Sequence, residues 1–191
     1  MTLSWQLELV SIGAVAPVVM RLLREDLVSR LSHAVWIAEA SISPVPAFDH
    51  HRQQYLASAL LEMLLVPPPP PGVRRIAVTD VDLFLPVFTH VFGSAQLDGP
   101  VGVASTFRLH PDAVAGTVDP EVLRHRLLKE VLHELGHTFG LVHCRVPWCA
   151  MSPSRLPEEV DLKDAAYCTA CAVRVGVPEE IPYHLDEQDP P

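Results

Sequence analysis

The segment HELGHTFGLVHC, residues 133–144, constrains the fold more tightly than any other stretch of this chain. His133 and His137 are four residues apart, a spacing that puts both imidazoles on one face of a helix, about one turn apart. The run before them has the marks of a helix start. Asp119 serves as an N-cap acid, Pro120 stands in the first turn, and Glu121 lies near the positive end of the dipole. Leu123, Leu127, Leu128, Val131, Leu132 and Leu135 then recur at helical spacing, so the helix is predicted to reach about Phe139 with that stripe buried. Gly140 tolerates a positive φ and ends the helix as a C-cap glycine. The chain can then turn sharply and come back, bringing His143 toward the other two imidazoles from a new direction.

Three imidazoles suit a zinc ion at about 2.0 to 2.1 Å each, and three protein ligands leave a fourth position for water. A structural zinc site has no such opening, so the pattern points to a catalytic ion. Glu134 follows His133 directly and projects roughly 100° around the helix, poorly placed as a ligand but well placed beside that water. The ion would lower the pKa of the water toward about 7. Glu134 would take its proton as the water attacks a polarised carbonyl, then return it to the leaving amine. The competing reading is a solvated helix face, because a bare HExxH match arises by chance. The added glycine, third histidine and well-capped helix are far harder to obtain by accident. Catalysis is a separate matter, since ligation alone does not admit a substrate.

All four cysteines, Cys144, Cys149, Cys168 and Cys171, fall in the last quarter of the chain. They form two chelating pairs, Cys144-x4-Cys149 and Cys168-x2-Cys171, with eighteen residues between them. Four thiolates close a tetrahedral zinc shell with no open position. Two disulfides are the alternative, which a reducing compartment disfavours, so a structural zinc is expected. Because Cys144 adjoins His143, one short piece of backbone would tie the two metal sites together.

The rest of the chain must supply the frame. At 191 residues and 49% hydrophobic it can bury one core. Its net charge of −9 and the lack of a Lys/Arg stripe argue against a nucleic-acid partner. The apolar N-terminus has no basic n-region and carries Glu8, so it reads as a strand and turn, not a signal peptide. No apolar run is long enough to span a bilayer, and a cytoplasmic location is expected. Strands are predicted over 7–15, 34–40, 74–85, 89–97 and 101–109, with Asp98-Gly99-Pro100 turning between the last two. Helices are predicted after Pro17, with Val18, Val19, Leu22, Leu23, Leu27 and Leu31 as its stripe, and from Asp49 to about Val66. Pro67 to Pro71 then make a stiff connector, preferred over an SH3-type ligand. The order β-α-β-α-β-β-β suits a mixed sheet with packed helices. The acidic tail PEEIPYHLDEQDPP is expected to be extended, and the residues before the long helix leave little room for an inhibitory prosegment.

The pattern HExxHxxGxxH resembles the zinc signature of the metzincin clan, and the adjoining Cys144 resembles the archaemetzincin branch. In that family the motif continues to a second cysteine, a methionine two residues on and a distal CxxC. Cys149, Met151, Cys168 and Cys171 follow in that order, with a slightly shorter loop before the last pair. The stretch 79–109 is similar to the family's strand region, whereas residues 1–73 carry no motif. The resemblance implies His133, His137 and His143 as zinc ligands, Glu134 as base, and Met151 in a turn beneath the metal. It also supports the cysteines as a second zinc site. Taken alone, Met151 reads as core filling. Ser152 and Pro153 stand where related branches carry a tyrosine, so no oxyanion stabiliser besides zinc is evident. In a metzincin-like sheet, THVFGSA would be the antiparallel edge beside the cleft, placing Phe92 and Gly93 near an extended substrate. His90 falls in that strand, and the other scattered histidines read as surface or satisfied core residues.

The expected fold is therefore α/β, a metzincin-like mixed five-stranded sheet with packed helices, an active-site helix and a small cysteine-zinc C-terminal subdomain. The division expected is 1–140 for the sheet and helix part and 141–191 for the C-terminal part. The expected function is a zinc-dependent peptidase with one catalytic and one structural zinc, acting on peptides or small proteins as a monomer, with no nucleic-acid or membrane partner. The alternatives are a non-catalytic zinc protein that uses the same fold for binding, and a hydrolase of a non-peptide amide.

Overall fold

The computed structural model describes residues 5–110 and 119–179. In chain order its elements begin with β1 (Gln6–Ile12), α1 (Pro17–Leu31), β2 (Ala34–Ile37), β3 (Phe48–Asp49), β4 (Gln54–Leu56), α2 (Ala57–Leu64) and β5 (Val73–Thr79). They continue with β6 (Leu83–Phe84), β7 (Gly93–Ala95), β8 (Val101–Ser105), α3 (Pro120–Thr138), α4 (Pro157–Asp161) and α5 (Thr169–Val175). Five strands make the main sheet in the order β2-β1-β5-β8-β7, and β3-β4-β6 make a small second one. The first four strands of the main sheet are parallel, and β7 pairs antiparallel with β8 at the edge. This is the mixed sheet expected.

Alternation along the strands divides the interior into two cores. Leu7, Leu9, Ile76, Val78 and Ala104 face α1 and α3, where Leu23, Leu27, Leu128, Val131 and Leu135 meet them. Val10, Ile12, Ala77, Val101 and Val103 point the other way, toward Leu60 and Leu64 of α2. A sheet covered on both faces can be mostly parallel without exposing apolar surface. In α1 the buried stripe is Met20, Leu23, Leu27 and Leu31. Val18 lies about 200° around the helix from Met20 and stays exposed, a shift from the predicted stripe.

Several predicted boundaries are corrected, each by side chains that bind backbone. The helix anticipated from Asp49 begins at Ala57, because Asp49 Oδ1 accepts the N–H groups of His51 and Arg52 at 2.8 and 3.0 Å and closes a turn. Gln53 then takes a φ of 55°, and β3 pairs with β4. The strand anticipated over 74–85 breaks between Thr79 and Leu83, where Ser105 Oγ donates to the Val81 carbonyl at 2.6 Å. Arg108 holds Asp82 with two bonds there, at 2.8 and 2.6 Å. The strand anticipated over 89–97 shortens to Gly93–Ala95, so His90 lies outside it. Its neighbour Thr89 gives its carbonyl to Gln54 Nε2 at 3.0 Å and to Arg52 Nη2 at 3.4 Å, drawing that segment toward the small sheet. The last predicted strand ends at Ser105 and passes into a single 3-10 turn, Phe107–Leu109. The predicted extended tail lies outside the described residues from residue 180 onward. No helix among the described residues is long and apolar enough to cross a membrane.

Candidate active site

The site is organised by α3, whose two ends are fixed as its sequence demands. Asp119 accepts the N–H of Glu121 at 2.9 Å, and Pro120 occupies the first turn, where its missing donor costs nothing. At the other end Gly140, with φ 77°, donates to the His137 carbonyl at 2.9 Å, and Leu141 donates to Gly136 at 3.2 Å. That pair of bonds is a Schellman cap, and it reverses the chain so that His143 returns over the helix.

The predicted histidines come together. His133 Nδ1 lies 2.8 Å from the Ala150 carbonyl, and His137 Nδ1 lies 2.7 Å from the Leu141 carbonyl. A carbonyl only accepts, so each Nδ1 carries a proton and each Nε2 presents a lone pair. The two Nε2 atoms stand 3.1 Å apart. Lone pairs so close repel unless a cation sits against both. The His143 ring centroid lies 5.2 and 5.3 Å from those of His133 and His137, and one ring nitrogen from each histidine falls within 4.8 Å of the others. Tetrahedral ligands at about 2.0 to 2.1 Å would be roughly 3.3 Å from one another, so the donor set fits a zinc ion. Burial lowers the pKa of all three imidazoles, most strongly at His133, where the charge of Lys163 and the neighbouring His137 add to it. Burial thus favours the neutral ring, the form that can ligate a metal.

Glu134 is 4% exposed and lines the same cleft. Burial pushes its carboxyl well above the usual range, the charge of Glu130 adds to this, and Lys163 opposes it. Its Oε2 is buried with no hydrogen-bond partner among the described residues. Such an orphan costs about 1–3 kcal/mol in a protein core, and more for a charged group. Two glycines admit this side chain. A Cβ at Gly93 would come within 2.8 Å of Glu134 Cδ, and one at Gly102 within 3.4 Å of its Cβ.

The four cysteines also converge, on the inner side of the returning chain. All are free thiols, with their sulfurs within 4.8 Å of one another. Cys144 Sγ and Cys168 Sγ are 3.8 Å apart, about the edge of a ZnS4 tetrahedron and far beyond a disulfide bond of roughly 2.05 Å. Burial raises the Cys149 thiol to about 11 and lifts Cys171 as well. Burial also opposes ionisation of Cys168, yet hydrogen bonds involving Cys171, Cys144 and Cys149 hold it below the ordinary thiol value. Cys168 N–H points to Cys149 Sγ at 3.3 Å, and Val146 N–H points to Cys144 Sγ at 3.4 Å.

The two clusters share their backbone. His143 and Cys144 are adjacent, and Cys144 N–H donates to the Met151 carbonyl at 2.9 Å. Ala150, which accepts from His133, adjoins Cys149 and donates to Ala166 at 2.7 Å. Met151 packs beneath α3 at Gly136, where a Cβ would collide with its sulfur and lie 3.3 Å from Tyr167 Cε1. Tyr167, next to Cys168, donates its hydroxyl to the Leu132 carbonyl.

Sequence reasoning missed the ion pair below this loop. Lys163 Nζ lies 2.8 Å from Glu130 Oε1 and 3.2 Å from the Ser152 carbonyl, with both side chains buried. Glu130 sits one turn before Glu134, a spacing that could have drawn notice, but nothing local marks Lys163 as its partner. The cleft holds about 1000 Å³. Gly93, Ser94 and Ala95 of the edge strand line it, as do His90, Phe92 and the loop Pro153–Arg155. His33, by contrast, stacks on Trp5 with centroids 4.1 Å apart, and His50 packs edge-on against Phe48.

The family model for peptidase family M54 matches residues 70–176. The archaemetzincin of Halobacterium salinarum is 36% identical over 169 residues, which cover 87% of this chain and 96% of the relative. That of Pyrococcus horikoshii is 39% identical over 126 residues, covering 65% of this chain and 67% of the relative. Among solved structures, the archaemetzincin of Methanopyrus kandleri superposes with a TM-score of 0.74 at 33% identity, covering 91% of this chain and 94% of that one. A zinc-dependent peptidase from Methanocorpusculum labreanum gives 0.80 at 29% identity, covering 88% and 99%.

Proposed function

The chain belongs to peptidase family M54, the family of the archaemetzincins, and from that premise we propose that it hydrolyses peptide bonds at the His133–His137–His143 site with Glu134 as general base. The observation that carries this reading is Glu134, whose Oε2 is buried without a hydrogen-bond partner among the described residues and which lines the same cleft as three convergent imidazoles. His133, His137 and His143 would hold the zinc ion, each through a neutral ring nitrogen. A zinc ion bound there supplies Lewis-acid polarisation of the scissile carbonyl and a water that is nucleophilic near neutral pH.

The protein's own residues do the rest. The carbonyls of Ala150 and Leu141 orient His133 and His137 through their Nδ1 protons. Glu134 Oε2 accepts the proton of the attacking water and passes it to the leaving nitrogen. The β7 edge has no further strand beside it among the described residues, so an extended peptide can lie antiparallel to it as an added strand. Cys144, Cys149, Cys168 and Cys171 would hold a second, structural zinc that fixes the backbone on which His143 and Ala150 ride. Peptides or small proteins are the proposed substrates.

In a peptide-library assay of zinc-loaded protein, Glu134→Ala is expected to lower cleavage about 10²- to 10⁴-fold with zinc content unchanged. Cleavage that persists in this variant would remove Glu134 from the mechanism. Metal-dependent partner binding without cleavage of any library member would instead favour a non-catalytic zinc protein.

A further inference from the structure

We propose that Arg155 and Ser154 form a carboxylate-binding subsite that selects peptides placing an acidic side chain or a free C-terminus in the cleft. The inference rests on the peptidase reading and names what that same cleft prefers. Arg155 is the one Lys or Arg among the described residues that line it. Of the two carboxyl groups that line it, Glu130 is held by Lys163, and Glu134 belongs to the catalytic site already described.

The state of Arg155 differs from that of four other arginines. Arg75, Arg108, Arg124 and Arg126 are each paired with a carboxylate, on Glu8, Asp82, Asp26 and Asp161. Arg155 is exposed, and its guanidinium makes no hydrogen bond or ion pair with any described residue. Its nearest acid in sequence is occupied elsewhere. Glu159 Oε2 accepts the backbone N–H groups of Arg155 at 2.5 Å and Leu156 at 3.3 Å, so it feels the guanidinium's charge without binding it. In a chain of net charge −9, an arginine left without an acid partner at the edge of an active cleft is well suited to an anion from outside.

Ser154 supplies the second donor. It lines the same cleft, and its Oγ is buried without a hydrogen-bond partner among the described residues. A substrate carboxylate has two oxygens and can take the guanidinium fork together with one hydroxyl. The loop that carries both residues is fixed on either side. Ser152 N–H donates to the Cys149 carbonyl at 2.8 Å, the Ser152 carbonyl accepts from Lys163, and Glu159 closes the far end. The loop backbone is thus already ordered, and the cost of binding an anion falls on the Arg155 side chain. Leu85, Phe88, Leu97 and Val142 add apolar lining to the same cleft.

The test uses matched peptides of one sequence: one with Glu and an amidated end, one with Gln and a free C-terminal carboxylate, and one with Gln and an amidated end. Their cleavage by the zinc-loaded protein, and their binding to zinc-loaded Glu134→Ala by fluorescence anisotropy, are both measured. At least one carboxylate peptide is expected to be favoured about tenfold to a hundredfold over the neutral one, the range of a charge-assisted hydrogen bond. Which peptide gains tells a side chain from a terminus. Arg155→Ala should bring that ratio close to one, Arg155→Glu should shift preference to a lysine-bearing peptide, and Ser154→Ala should lower the ratio by a smaller factor. Equal treatment of the three peptides by the wild type, or an unchanged ratio in Arg155→Ala, would overturn the proposal. Cleavage without preference defeats this inference alone. Preferential binding to Glu134→Ala with no cleavage by the wild type upholds it and defeats the peptidase reading.

Discussion

The three histidines and the four cysteines occupy one stretch of backbone, yet one cluster faces a cleft and the other faces the core. Burial falls off from His133 through His137 to His143, whereas Cys149, Cys168 and Cys171 are all buried and Cys144 partly so. Three donors leave a tetrahedral ion one vertex short, and four do not. On the proposed reading, the difference between a reactive and a structural centre lies in donor count and in the gradient of exposure. The closed cluster also serves the open one, because Cys144 fixes His143 by adjacency and Cys149 fixes Ala150, the acceptor for His133.

The largest expected effect comes from emptying the closed site. Structural zinc contributes on the order of 10 kcal/mol in small metal-dependent domains. Cys168→Ser should therefore lower the thermal unfolding midpoint steeply and, with the histidine site kept zinc-loaded, reduce peptide turnover. Undiminished turnover would break the coupling between the two centres. Next in size is the buried pair that pins the connecting loop to α3. Lys163→Met leaves Glu130 buried without its counter-charge, and stability to urea should fall by about 3–5 kcal/mol while the cysteine site keeps its metal. No change in the urea midpoint would show that the pair does not brace the loop. A smaller effect is expected at the contact beneath the helix. Gly136→Ala drives a methyl into the Met151 sulfur and should cost about 1–3 kcal/mol. Shortening Met151 to Ala in the same chain should recover part of that loss in a double-mutant cycle. Purely additive losses would mean that the two residues do not meet.

What could be read from the sequence was what depends on near neighbours. The N-cap at Asp119, the i, i+4 histidines and the Gly140 turn are all settled within a few residues, and each appears as predicted. The convergence of the four cysteines was legible because two short chelating pairs have few other uses. The hairpin at 48–56 was not, since β4 owes its place to pairing with β6 across a gap that includes all of α2. The apolar spacing of Tyr55, Leu56, Ala59 and Leu60 fits a helix equally well until that partner is known. His90 was misplaced in a strand for a similar reason, because the pull on Thr89 comes from Arg52 and Gln54. The Lys163–Glu130 pair spans 33 positions, and a lysine that reads as solvated in sequence is buried by the return of the chain.

The central claim is that two separate metal centres share one backbone and that the open one does the chemistry. Zinc content per chain, measured for the wild type, His143→Ala and Cys168→Ser, tests that separation most directly. The account predicts about two zinc ions in the wild type and about one in each variant. A single zinc in the wild type, or the loss of both on replacing His143 alone, would contradict it.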